Sequence, residues 1–171
     1  MLRELLWTPY REGKRIASIP TVERSSHNPG AITGLFFEVV ISAAIIPALR
    51  RRVPGCVCER NMCSHPAVRG ISRDPDLYVH HENRHAVFEF KVSPKKRDLV
   101  LAERKQSEYR DQGIGYFLIG GHAVAAAEHF ARFDQHEWAT FLSTTSKSHA
   151  TERMTTIDRV IASAVEHLSS D

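Results

Sequence analysis

The chain has 171 residues, of which 42% are hydrophobic and 25% are charged. This composition is that of a globular protein and excludes wholesale disorder, and the length suits one domain. The 23 lysines and arginines outnumber the 20 aspartates and glutamates only slightly, for a net charge of +3. Any affinity for a polyanion must therefore come from a local basic patch and not from the overall charge.

The sequence offers no segment suited to a membrane. The longest apolar stretch, residues 35–49, is interrupted by Glu38, Ser42 and Pro47, and it is too short and too polar to span a bilayer. The first residues lack the basic and then apolar layout of a signal peptide. Three cysteines crowded together argue against a secreted disulfide scaffold. We therefore expect a soluble, cytoplasmic protein with no membrane partner.

The first half of the chain changes from irregular sequence to a helix and then to a loop. Proline, glycine and other residues that interrupt regular secondary structure are frequent in residues 1–30, which we predict to be irregular apart from one short strand. Residues 31–52 have a helical pattern that is apolar on almost every side, with Thr33 as the N-cap and Pro47 as a kink or an end. Residues 53–75 combine proline, glycine and cysteine and predict a loop.

The second half alternates strands with helices. Two strands are predicted at residues 76–81 and 85–92, joined by a polar turn, and a helix with Asp98 at its N-cap follows as far as residue 112. Residues 114–119 are a short apolar run, typical of a buried strand that lies parallel to the strand before the helix. Two further helices are predicted, at residues 123–133 and 152–168. The expected fold class is α/β, with a central mixed sheet flanked by helices.

Alternation along the two neighbouring strands separates an apolar face, which includes Leu77 and Phe88, from a polar face. The polar face carries Asp76 on the first strand, and Glu89 and Lys91 on the second. Asp76 falls opposite Glu89 or Lys91, depending on the length of the loop. Cross-strand ion pairs on a solvated face would account for this pattern. A divalent-metal site would account for it equally, since Mg²⁺ prefers hard oxygen ligands.

These residues resemble the signature of a known group of enzymes. Pro75-Asp76, twelve intervening residues and then Glu89-Phe90-Lys91 are similar to the motif of the PD-(D/E)XK nuclease superfamily, which includes many type II restriction endonucleases and archaeal Holliday-junction resolvases. An acidic residue in the upstream helix, Glu38, precedes the motif, and a helix and a buried strand follow it. This order matches the α-β-β-β-α-β core of the superfamily over roughly residues 33–120.

The resemblance implies a restriction-endonuclease-like core and one nuclease domain over residues 1–171. Within it we place the core at about residues 31–121, a zinc-binding loop at about 53–66 and a C-terminal helical extension at about 122–171. The first core strand has no good candidate, since residues 67–71 are poorly suited to one.

The resemblance also implies roles for individual residues. Asp76 and Glu89 would hold one or two Mg²⁺ ions together with the backbone carbonyl of Phe90, and Lys91 would lie beside the attacking water. Glu38 would face the same site and bind a second metal or orient water. Without a catalytic role, Glu38 would be a buried glutamate paired with a neighbouring basic residue.

Basic residues follow the motif and continue on the next helix. They either line a cleft for DNA phosphates or form a solvated face. The candidates for DNA contact are Lys95, Lys96, Arg97, Arg104 and Lys105.

The cysteines suggest a structural zinc site. Cys56, Cys58, Cys63 and His65 provide three thiolates and one imidazole, which suit tetrahedral Zn²⁺, and metal binding would order a loop with little core of its own. Because their spacing is tight, a histidine from elsewhere is an alternative source of one ligand. The candidates for that ligand are His80, His81 and His85. Reduced, unligated cysteines in a polar loop are the simpler interpretation.

The function expected from these features is that of a Mg²⁺-dependent DNA endonuclease, foremost a small restriction-type enzyme. Such enzymes usually act as homodimers, and the amphipathic C-terminal helix is either the interface or part of the core. One alternative is a structure-specific nuclease that acts on Holliday junctions or repair intermediates. A second alternative is a catalytically silent module that binds DNA or protein on the same fold.

Overall fold

A computed structural model gives the structure of the chain and describes residues 29–63, 65–72, 75–92, 94–122, 136–143 and 150–170. The short N-terminal strand and the helix predicted at residues 123–133 lie outside the described residues. In the described part of the chain no helix is both long enough and apolar enough to cross a membrane.

The described residues form helices on both sides of one sheet. The helices are α1 (Pro29–Arg52), α2 (Pro66–Ile71), α3 (Lys96–Arg110) and α4 (Ala150–Ser169). The strands are β1 (Val57–Arg60), β2 (Leu77–His81), β3 (Arg84–Val92), β4 (Ile114–His122) and β5 (Ala139–Ser143).

The sheet has the strand order β1-β2-β3-β4-β5, so β3 is its central strand. β1, β2 and β3 pair antiparallel, whereas β3, β4 and β5 pair parallel. A parallel pair needs a long crossover connection, and α3 provides it between β3 and β4. The predicted α/β class with a mixed sheet flanked by helices is confirmed.

Two hydrophobic cores lie on the two faces of the sheet. α1 and α4 cover one face, where Leu77 and Phe88 are fully buried with Ile41 and Ile161. α2 and α3 cover the other face, which includes Tyr78 and Val87 from the hairpin. The predicted alternation of the hairpin is therefore confirmed. Its second face is largely covered by α3, so Glu89 on it is buried among apolar neighbours, whereas Lys91 near the end of β3 stays partly exposed.

The register of the hairpin follows from a two-residue loop. His81 pairs with Arg84 across the loop Glu82–Asn83, and Glu82 adopts a left-handed backbone with a φ of 51°. Because the loop has an even number of residues, the even-numbered residues of β2 share a face with the odd-numbered residues of β3. The same register places Leu77 opposite Phe88.

Two helix starts differ from the prediction. α1 begins at Pro29 and not after Thr33, since proline suits the first turn of a helix. α1 also continues through the exposed Pro47 to its end, because the turns on either side are anchored by fully buried side chains. α3 begins before Asp98, whose carboxylate nonetheless caps it by accepting the backbone N–H of Lys95 at 2.7 Å.

Two strands were missed by the sequence analysis. β1 lies within the predicted loop of residues 53–75 and pairs with β2 from Val57–His80 to Arg60–Leu77. Residues 67–71, which the sequence made poorly suited to a strand, belong to α2. β5 follows a segment outside the described residues and pairs parallel with the end of β4.

The apolar stripe of α4 is part of the core. Ile157, Val160, Ile161, Ala164 and Leu168 are buried against the sheet and α1. Of the two roles considered for the C-terminal helix, the structure therefore gives it the packing role, and a dimer would have to use another surface.

Candidate active site

Asp76 and Glu89 meet at the end of the sheet where β2 begins and β3 approaches its end. Asp76 directly precedes Leu77, which pairs with Phe88, so Asp76 lies level with Glu89. An Asp76 carboxylate oxygen, Oδ2, accepts the backbone N–H of Phe90 at 2.6 Å. This hydrogen bond fixes the first acid against the strand that carries the second.

Glu89 is almost completely buried and has three polar neighbours. Its Oε1 contacts the Lys105 ammonium of α3 at hydrogen-bond distance. Its Oε2 accepts the hydroxyl of Tyr116 from β4 at 3.3 Å and lies 4.0 Å from Nζ of Lys91. A buried carboxylate needs such compensation, because burial without it is costly. The strand, the neighbouring strand and the helix thus all contribute to holding Glu89.

The two lysines around Glu89 differ in their access to solvent. The side chain of Lys91 is 45% exposed, whereas that of Lys105 is 15% exposed. Lys105 therefore serves as the buried ion-pair partner of Glu89, while the side chain of Lys91 remains accessible to a ligand.

Glu38 completes the group of acids from the side of α1. Partial burial and the negative charge of Asp76 raise the pKa of Glu38, and the positive charges of Lys91 and Arg60 oppose that rise. Asp76 and Lys91 therefore lie close enough to Glu38 for their charges to act on its carboxyl group. Burial also raises the pKa of Asp76, against the hydrogen bond from Phe90 and the charge of Lys91.

Two stacked tyrosines support the buried side of the site. The rings of Tyr109 and Tyr116 have centroids 5.6 Å apart, with an angle of 13° between their planes. Burial and the adjacent Glu89 raise the pKa of Tyr116 well above its usual value. The phenol therefore keeps its proton and serves as a hydrogen-bond donor to Glu89.

The five basic residues proposed to contact DNA fall into two groups. Lys95, Lys96, Arg97 and Arg104 are exposed around α3, and two of them have acidic neighbours on the same helix. Arg97 lies 3.7 Å from Asp98 and Arg104 lies 3.3 Å from Glu108. Lys105 points inward to Glu89 and does not belong to the exposed group.

Three residues were not predicted in the positions that they hold in the site. They are Lys105, which pairs with Glu89, Tyr116, whose hydroxyl donates to Glu89, and Arg60 at the end of β1. Lys105 had a signal, because it follows the buried Leu99 and Ala102 at helical spacing. Tyr116 had a weaker signal, as a polar atom in an apolar strand. Arg60 had none, since β1 itself was not predicted.

The proposed zinc ligands are divided between the two faces of the sheet. Cys56 and Cys58 pack against the core beneath α1, and Cys63 packs against the core beneath α2 and α3. Cys63 and His65 stay together, with the thiol 4.0 Å from the carbonyl of His65. Burial, together with the neighbouring Cys56, raises the pKa of Cys58 to about 11. The four-residue zinc site stays a prediction, and of its members the structure brings together Cys63 and His65 on one face and Cys56 and Cys58 on the other.

Across the described residues, no three histidine, cysteine, aspartate or glutamate side chains are already arranged as ligands of one metal ion. Comparison of the chain with models of protein families, with curated proteins and with solved structures finds no match. The PD-(D/E)XK relationship stays a prediction that depends on the residues themselves.

Proposed function

We propose that this protein is a Mg²⁺-dependent DNA endonuclease that hydrolyses phosphodiester bonds. It would have a restriction-endonuclease-like core and act as a small restriction-type enzyme. One observation carries the proposal: Asp76 and Glu89 lie level on neighbouring segments, with the accessible Lys91 beside them and Glu38 opposite. A purely structural ion-pair network has no need for three acids around one accessible ammonium.

The residues present fit a Mg²⁺ ion. The donor set consists of carboxylate oxygens of Asp76 and Glu89 with the backbone carbonyl of Phe90 close by, and hard oxygens are the ligands that Mg²⁺ prefers. Burial raises the pKa of both Asp76 and Glu38, and the charge of one acid raises that of the other. A divalent cation would relieve that repulsion. When bound, the ion would polarise the scissile phosphate and acidify a coordinated water.

The chain's own residues would divide the remaining work. Lys91 would contribute a positive charge next to the phosphate, where negative charge increases as the water oxygen bonds to phosphorus and the bond to the 3′ oxygen breaks. Lys105 and Tyr116 would hold the Glu89 side chain in a fixed orientation. Glu38 would orient water or hold a second ion.

The exposed basic residues around the start of α3 support a DNA substrate. Lys95, Lys96 and Arg97 come directly after β3, a few residues beyond Lys91, so they lie on the same side of the domain as the end of that strand. Cations in this position would hold the phosphate backbone across the site.

The test is cleavage by the purified protein. Supercoiled plasmid, linear duplex, a four-way junction and single-stranded DNA would each be incubated with Mg²⁺ or with EDTA. We expect Mg²⁺-dependent cleavage of duplex DNA and its loss in Asp76→Asn, Glu89→Gln and Lys91→Met. Asp158→Asn is the matched control, because Asp158 is exposed on α4 and pairs with Arg52 at 3.7 Å, away from the site.

The substrates distinguish the alternatives. Selective cleavage of the junction would replace the restriction-type assignment with a structure-specific nuclease. Binding of DNA without cleavage under any metal condition would identify a silent binding module and end the nuclease proposal.

A further inference from the structure

A second group of polar side chains lies near the turn of the hairpin, on the face beneath α2 and α3. His80 and His85 are directly paired across β2 and β3, with ring centroids 6.2 Å apart. The ring of His65, just before α2, packs on His85 with centroids 4.1 Å apart. Three imidazoles from three segments of the chain therefore meet at one place.

Glu59 and Cys63 join the imidazoles from β1 and the loop that follows it. Glu59 pairs across the sheet with Tyr78. Burial raises the pKa of Tyr78 to about 12, and the neighbouring Cys63 and Glu59 add to that rise. The Tyr78 hydroxyl lies 2.8 Å from Nδ1 of His85. A carboxylate, a thiol and two imidazoles thus lie around the same tyrosine. We call Glu59, Cys63, His65 and His85 the hairpin cluster.

Two buried polar atoms of the hairpin cluster have no hydrogen-bond partner among the described residues: Oε2 of Glu59 and Nδ1 of His65. Buried carboxylate oxygens and imidazole nitrogens are almost always satisfied, because leaving one without a partner costs the full desolvation of that group. Both atoms are metal-ligand types. Glu59 pairs with Tyr78 across the sheet, and His65 packs on His85, which is hydrogen-bonded to Tyr78.

We propose that the hairpin cluster binds a Zn²⁺ ion. A thiolate, a carboxylate and two neutral imidazoles are borderline donors of the kind Zn²⁺ selects, and together they neutralise its two charges. His65 would coordinate through Nδ1. His85 would coordinate through Nε2, because its Nδ1 is held by the Tyr78 hydroxyl in the way that outer partners orient metal-ligating histidines. The ring of His65 must rotate away from its stack on His85, and metal binding supplies the free energy for that change.

This proposal is independent of the nuclease proposal. Its ligands also differ from the three cysteines and one histidine that the sequence suggested. It uses Cys63 and His65 and excludes Cys56 and Cys58, which pack on the opposite face. The structure thus assigns the zinc ligands to β1, the following loop and β3, so that the ion would join the edge strand to the central hairpin.

The test is zinc binding by the full chain, measured without any cleavage assay. Protein stripped with a chelator would be titrated with Zn²⁺ against a chromogenic competitor, and bound zinc would be counted by mass spectrometry. We expect about one Zn²⁺ per chain with a Kd tighter than about 10⁻⁷ M. Cys63→Ser and His65→Asn should weaken binding at least about 100-fold, and Tyr78→Phe about 10-fold.

Matched variants and a spectroscopic signal make the result decisive. Cys58→Ser and His81→Asn remove the same residue types outside the hairpin cluster and should leave the affinity unchanged. Co²⁺ bound in place of Zn²⁺ should give thiolate-to-metal charge-transfer absorption that Cys63→Ser abolishes and Cys58→Ser retains, with circular dichroism verifying the fold of each variant. Absence of stoichiometric zinc, or equal losses in Cys58→Ser and Cys63→Ser, would overturn the proposal.

Discussion

Asp76 and Phe90 are joined by a hydrogen bond in which the backbone N–H of Phe90 donates to the Asp76 carboxylate at 2.6 Å. The bond ties the residue before β2 to the residue after Glu89, so the separation of the two acids is set by backbone geometry. An acid placed by a main-chain donor has little rotational freedom, which suits a metal ligand.

Replacing Asp76 should separate its catalytic importance from its cost to stability. Burial raises the pKa of Asp76, so the folded state binds the proton more tightly than the unfolded chain does. The charged carboxylate therefore costs stability once the pH exceeds the ordinary carboxyl range. Without metal at pH 7, Asp76→Asn should raise the free energy of unfolding by about 0.5–2 kcal/mol, as measured by urea denaturation, while cleavage is lost.

Asp76→Ala provides the comparison. Alanine removes the acceptor as well as the charge and leaves the buried N–H of Phe90 without its partner, so this variant should be about 1–3 kcal/mol less stable than Asp76→Asn. Equal stabilities of the two variants would show that the hydrogen bond contributes nothing.

The two lysines at Glu89 should give opposite phenotypes. Lys105→Met leaves a buried carboxylate without its main counter-charge and should reduce the free energy of unfolding by roughly 2–4 kcal/mol. Lys91→Met changes a half-exposed group and should cost less than about 1 kcal/mol, yet it should abolish cleavage. Urea denaturation and the plasmid assay measure both. A larger stability loss in Lys91→Met than in Lys105→Met would refute the assignment.

Glu38 should report the charge of Asp76. The pKa of Glu38 is raised by burial and by the negative charge of Asp76. In Asp76→Asn the second cause is absent, so the Glu38 carboxyl should titrate at a lower pH than in the unmodified protein. Carboxyl ¹³C NMR over an acid titration measures this directly, and an unchanged Glu38 titration would mean that the two acids are not neighbours.

Glycine is required at position 120 for a reason of space. A Cβ there would overlap the ring of Phe141 on β5. Gly120→Ala should therefore destabilise the protein by about 1–3 kcal/mol in urea denaturation. Gly34→Ala is the matched control: the added methyl group meets nothing within 4 Å, and α1 should gain about 0.5–1 kcal/mol. Equal effects of the two changes would contradict the close packing of β4 on β5.

The exposed basic residues can be tested through the salt dependence of DNA binding. Replacing Lys96 and Arg97 together with glutamine should weaken binding to all sequences alike and reduce the slope of log K against log salt concentration by about 2. Fluorescence anisotropy on two unrelated duplexes provides the measurement. An unchanged slope would exclude this surface from the DNA interface.

The hairpin and its faces were predictable because alternation and loop length act locally. The positions of Asp76 and Glu89 follow from those two facts alone. β1 was not predictable, because four residues with exposed ends become a strand only by pairing with β2. The inward orientation of Lys105 is likewise a tertiary effect, since a lysine on an exposed helix and a lysine facing a buried carboxylate look alike in sequence. The separation of the cysteines is another tertiary effect: Cys56 and Cys58 pack on one face of the sheet, whereas Cys63, beyond the end of β1, packs on the other.

The central position of β3 in the sheet has a consequence for how the protein unfolds. Each backbone amide of such a strand is hydrogen-bonded to one of its two neighbours and exchanges with deuterium only when that neighbour separates, which opens the interior of the sheet. The amides around Phe88 and Leu118 should therefore be among the slowest to exchange. Glu89 therefore lies on the strand that we expect to unfold last. Fraying of the edges can proceed without disturbing it, and the chemistry at this strand should persist until the whole domain melts.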